Sequence, residues 1–92
     1  MNARQPAMHV GGRSVAAGGD RRYQVFEPAL GEVLAEVPEA TEADVDAAVA
    51  AARAAQAGWW GAGAVARGDA VAAFGRAVAT HIDELATLDA RN

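Results

Sequence analysis

The sequence predicts an α+β chain in which about four short strands precede two or three helices. Short strand-like segments bounded by glycine or proline occur in residues 8–40, a pattern typical of strands and hairpins. From residue 41 onward, apolar residues recur at helical spacing instead. We therefore divide the chain into a flexible N-terminus at 1–7, strands within 8–40 and helices within 41–92.

A two-residue glycine spacer predicts a tight hairpin near the start of the chain. Met8–Val10 and Arg13–Val15 flank Gly11-Gly12. Glycine tolerates the positive φ angles that two-residue hairpin turns require. The spacing therefore predicts two short antiparallel strands.

Two further strands follow a loop at 16–20. Residues 21–26 alternate, with Tyr23 and Val25 on one side, as in a half-buried strand. Pro28 ends this strand because proline has no N–H to donate to a ladder. A turn at 30–32 leads to a strand at 33–37, which Pro38 closes.

A helix is predicted from Thr41 to about Gly58. Thr41 and Asp44 have the spacing of a capping box, in which a hydroxyl and a carboxylate satisfy the free N–H groups of the first turn. An apolar stripe at helical spacing follows: Val45, Ala48, Val49 and Ala52. Because the stripe is narrow and lined by alanine, we expect it to pack closely on a flat partner surface.

A second helical pattern begins at about Ala64, after a connection at 59–63 that contains both tryptophans. The pattern continues beyond a predicted break at 80–81. Its apolar positions are Val71, Phe74, Val78, Ile82, Leu85 and Leu88. Gly68 and Gly75 each weaken the helix by up to about 1 kcal/mol relative to alanine.

The composition excludes several classes of protein. The chain has 8 basic and 12 acidic side chains and a net charge of −4, whereas nucleic-acid-binding modules normally present a basic face. It has no cysteine, which excludes disulfides, thiolate metal sites and a cysteine nucleophile. No apolar run reaches the roughly 18 residues of a membrane span. We therefore expect neither a nucleic-acid nor a membrane partner.

The core that this sequence can build is small. Hydrophobic residues make up 52% of the 92 residues, but 26 residues are alanine. Leu, Ile, Val and Phe together number only 17, fewer than a compact domain usually has. Because a buried methyl group contributes little transfer free energy, we do not expect an independently stable enzyme.

The motifs that could indicate a catalytic or ligand-binding site are better explained as structural features. Gly61 begins a G-x-G-x-x-A pattern, with Asp83 about 20 positions further on, but a dinucleotide loop needs a preceding strand and a helix is predicted there. His9 and His81 lack partners at metal-ligand spacing, and Ser14 has no nearby base to activate it. A dense group of acids is interpreted as a charged turn and helix start: Glu36, Glu39, Glu42, Asp44 and Asp46.

Taken in order, the strand segments resemble the N-terminal part of the NAD(P)-dependent aldehyde dehydrogenases. That family opens with a glycine-turn hairpin like residues 9–13. A Pro-Ala-Thr-Gly-Glu turn follows, and residues 28–32 are similar to it, with Leu30 in place of threonine.

The helical segments extend this resemblance. The first helix of the family reads Asp-Val-x-x-Ala-Val-x-x-Ala, which residues 44–52 match. A tryptophan follows, here Trp59 or Trp60, and then an arginine near the start of the next helix, here Arg67. A Glu-Leu-Ala-x-Leu segment at 84–88 completes the series.

The resemblance implies an α/β parent fold with a Rossmann-like coenzyme domain, of which residues 8–92 form the N-terminal part. It implies an oxidoreductase in which a cysteine thiolate attacks the aldehyde and hydride passes to NAD or NADP. A glutamate-activated water then hydrolyses the thioester, and an asparagine helps to stabilise the oxyanion. The resemblance carries no catalytic, cofactor-binding or metal-binding residue onto this chain, and no cofactor is assigned to it.

We therefore expect a truncated, cytoplasmic aldehyde dehydrogenase that is inactive alone. Its implied partners are the remainder of the fold or further copies in a homo-oligomer. The alternative is a small helical interaction module that docks a partner through its Ala-rich helix and Trp59-Trp60.

Overall fold

The computed structural model describes residues 6–92, and within that range four strands precede three helices, as predicted. The elements are β1 (Met8–Val10), β2 (Arg13–Val15), β3 (Arg22–Glu27), β4 (Glu32–Pro38), α1 (Glu42–Gly61), α2 (Ala64–Thr80) and α3 (Ile82–Arg91). Residues 1–5 of the predicted flexible N-terminus at 1–7 lie outside the described residues.

The strands form two separate antiparallel hairpins. In the first, Val10 pairs with Arg13, so Gly11-Gly12 make the whole turn. Their φ angles are 60° and 78°, as a two-residue turn of the primed type requires. The predicted hairpin is confirmed.

The second hairpin joins β3 to β4 through a four-residue loop. Gly31 has a φ of 67°, and its N–H donates to the carbonyl oxygen of Glu27 at 2.8 Å. A bulge at Leu34 shifts the register, because Val25 pairs with Ala35 but the next residue pairs with Val33. The predicted strands at 21–26 and 33–37 agree with β3 and β4 to within one residue at each end.

Helix α1 begins as predicted but ends later than predicted. The expected end at Gly58 is wrong: the helix continues to Gly61 and includes Trp59 and Trp60 in its last turn. Glycine can keep helical backbone angles, and Gly58 accepts the N–H of Ala62 at 3.0 Å. The chain leaves the helix only at Gly63, whose φ of 90° is closed to most other residues.

The predicted break between the second and third helical segments is confirmed. His81, with φ −107° and ψ 19°, ends α2 and precedes α3. Gly68 and Gly75 both lie inside α2 without interrupting it. None of the described helices is long and apolar enough to cross a membrane.

The packing of α1 differs from the predicted stripe. Its half-buried positions are Asp44, Ala48 and Ala51, and a methyl group placed on Gly11 would lie 3.8 Å from the Ala51 Cβ. Helix α1 therefore rests its alanine side on the first hairpin. Val45 and Val49 lie beside that contact and remain about half exposed.

No residue within 6–92 is buried. The accessible surface is 7367 Å², whereas a compact monomer of 9.4 kDa exposes about 5,000 Å². The radius of gyration is 16.6 Å, against about 12 Å for a compact chain of this length. The secondary structure is therefore formed without a core around which to pack.

Two glycine substitutions test this description of the helical region, because they should change the helical ellipticity in opposite directions. Gly68→Ala adds a helix former at an open position within α2 and should raise far-UV helical ellipticity, with a local gain of up to about 1 kcal/mol. Gly63→Ala forces alanine to a φ of 90° and should lower ellipticity by destabilising the start of α2. Equal effects of the two substitutions would contradict the assigned helix boundary.

Candidate functional site

The glycine pattern that superficially suggests a dinucleotide site lies at a corner between two helices. Gly61 is the last residue of α1 and Gly63 immediately precedes α2. Asp83 lies in the first turn of α3 instead of at the end of a strand. Because no strand leads into the glycines, their backbone lacks the strand–turn–helix arrangement that receives a pyrophosphate.

The structure changes the sequence interpretation of Ser14. His9 lies directly opposite Ser14 in the first hairpin, so the statement that this serine has no nearby base is wrong. The two-residue turn fixes that register, and the spacing alone could have revealed it. Both residues are exposed, unlike the buried, oriented groups of an activated serine.

The remaining ionisable candidates lie at the ends of elements. His81 occupies the junction of α2 and α3, and its Nδ1 is 3.7 Å from the Glu84 carboxylate, with both side chains well exposed. No three histidine, aspartate or glutamate side chains within the described residues come together as a possible metal site. Of the acids at 36–46, Glu42 and Asp44 lie in the first turn of α1.

Asp44 joins the start of α1 to the loop at 16–20. Its Oδ2 accepts the Thr41 N–H at 2.8 Å, and the Asp44 N–H donates to the Thr41 Oγ1 at 3.2 Å. Both hydrogen bonds of the predicted capping box are thus present. The carboxylate also accepts the Gly18 N–H, at 2.9 and 3.1 Å to its two oxygens.

These hydrogen bonds set the electrostatics of Asp44. The backbone N–H of Thr41, followed by that of Gly18, holds the pKa of this carboxyl below its ordinary value of 3.8, although desolvation acts in the opposite direction. A carboxylate that accepts hydrogen bonds from backbone N–H groups has a structural role. Asp44 is therefore not available as a general base.

Arg67 closes the corner between α1 and α2. Its guanidinium carbon lies 4.6 Å from the centroid of the Trp60 ring, within the range of a cation–π contact. Its Nη1 also donates to the Trp60 carbonyl oxygen at 2.6 Å, which accepts the Gly63 N–H at 3.4 Å as well. The sequence resemblance placed Arg67 near this helix start, but only the structure shows this contact.

Arg91 ties α3 to the second hairpin. Its Nε and Nη2 lie 3.2 and 3.3 Å from the two carboxylate oxygens of Glu27. The Glu27 side chain is only 14% exposed, and that of Arg91 is 34% exposed. Sixty-four residues separate the two, and no single-sequence signal predicts such a pair.

The first hairpin and the loop that follows it border a shallow groove of roughly 460 Å³. Its polar side chains are those of Ser14, Asp20 and Arg22, and all three are exposed. Pro6, Ala7, Val15, Ala16, Ala17, Gly19 and Pro38 complete the lining. A ligand site normally buries a few convergent polar groups, so we do not assign a ligand to this groove.

The helical half also carries exposed large apolar side chains. We define the apolar helix face as the set Val71, Phe74, Val78, Ile82, Leu85 and Leu88 on α2 and α3. Phe74 is 71% exposed and Leu85 is 43% exposed. Val71, Ile82 and Leu88 are also exposed, whereas Val78 is half-buried. Exposed apolar side chains of this size can mark an interaction surface. This face is the candidate functional site.

Comparison with known proteins gives a family match over most of the chain. Residues 15–92 match the model of the aldehyde dehydrogenase family. A Sinorhizobium fredii protein named "Probable succinate-semialdehyde dehydrogenase (NADP(+))" is 44% identical over 72 residues, which cover 78% of this chain and 15% of that protein.

A second relative and the solved structures complete the comparison. Malonate-semialdehyde dehydrogenase 1 of Geobacillus kaustophilus is 41% identical over 80 residues, which cover 87% of this chain and 16% of that protein. The chain therefore spans about one sixth of the length of these relatives. No solved structure matches the chain.

Asp44 gives the site a testable pH dependence. Because its folded pKa is lowered, its stabilisation of α1 is present above the ordinary value of 3.8 and is lost as the pH falls through the lowered folded-state value. Far-UV ellipticity followed from neutral to strongly acidic pH should show this loss in the native chain. Asp44→Asn should have lower ellipticity at neutral pH and a smaller change on acidification.

Asp46→Asn is the matched control for this titration. It removes one negative charge from the same helix while leaving the Thr41 and Gly18 contacts intact. Its acid titration should follow that of the native chain. Identical titrations of the native chain and Asp44→Asn would contradict the role assigned to Asp44.

Proposed function

This chain belongs to the aldehyde dehydrogenase family, and on that premise we propose that it is the N-terminal structural segment of an NAD(P)-dependent oxidoreductase of aldehydes. The observation that carries the proposal is that no residue within 6–92 is buried, although residues 15–92 match the family. Ordered helices must bury their apolar faces against another layer. The proposed role is to supply hairpins and helices to a larger enzyme.

We propose that the segment takes no part in the covalent chemistry. The family resemblance implies a cysteine thiolate as nucleophile, and this chain has no cysteine. Asp44 is held by backbone N–H donors, and the Ser14–His9 pair is exposed. The isolated chain is accordingly expected to be inactive.

NAD or NADP is the proposed cofactor of the full enzyme, and it would supply the hydride acceptor. The glycines of this chain do not fit its pyrophosphate, because Gly61 and Gly63 connect two helices. We propose that the residues that bind the cofactor belong to the remainder of the enzyme. The relative from Sinorhizobium fredii is named for NADP(+), which supports the nicotinamide class.

The proposed substrate class is a short aldehyde that also carries a carboxylate. Both relatives described above are named as semialdehyde dehydrogenases, one for succinate semialdehyde and one for malonate semialdehyde. We place the full enzyme in the cytoplasm, as the sequence predicts. No observation favours the alternative of a free-standing interaction module that docks a partner through its Ala-rich helix and Trp59-Trp60.

A chimera tests this proposal. In the Sinorhizobium fredii relative, the segment that matches this chain over 72 residues is replaced by the corresponding residues of this chain. The chimera should fold and oxidise succinate semialdehyde with NADP at a kcat/KM within about tenfold of the parent, since the segment supplies structure and not reacting groups.

The control for the chimera is a scrambled segment of the same composition, which should abolish soluble expression. A chimera that folds to the parental oligomeric state but has lost activity would contradict a purely structural role. Activity in the isolated 92-residue chain would contradict it as well.

A further inference from the structure

We draw no further inference here: the strongest candidate, the apolar helix face of α2 and α3, is accessible, and nothing in the part of the chain that the structure describes shows what covers it.

Discussion

The shortage of large apolar side chains is the constraint on which the rest of this structure depends. Alanine supplies 26 of the 92 residues, and alanine favours helix strongly while contributing little to burial. The chain can therefore form α1, α2 and α3 from local hydrogen bonds without surrounding them with a core. The apolar side chains it does have are too few to cover one another. They remain on accessible faces.

In the absence of a core, polar contacts at the ends of elements determine how the elements meet. Asp44 joins the start of α1 to the loop before β3, and Arg67 closes the corner after Trp60. Glu27 and Arg91 bring the last helix back to the second hairpin. Charge-assisted hydrogen bonds of this kind are stronger than neutral ones. They orient the elements, as the proposed role of a structural segment requires.

Local sequence signals predicted the elements well because their causes are local. Gly11-Gly12 supplied the positive φ angles of the first turn, and Thr41 with Asp44 supplied the cap of α1. The end of α1 was misplaced because Gly58 is compatible with either a helix or its end, and only the φ of Gly63 decides between them. The pair Glu27–Arg91 and the register of His9 with Ser14 depend on how the chain folds back. No local sequence signal predicts the Glu27–Arg91 pair.

The candidate site was foreseen only in part. The apolar positions on α2 and α3 follow from helical spacing, but their exposure is a tertiary property that spacing does not determine. Differential scanning calorimetry of the purified 92-residue chain tests this central claim most directly. A compact domain of this length would unfold in one peak of about 60 kcal/mol. We predict a broad loss of helix without such a peak, and a single cooperative peak of that size would contradict the account.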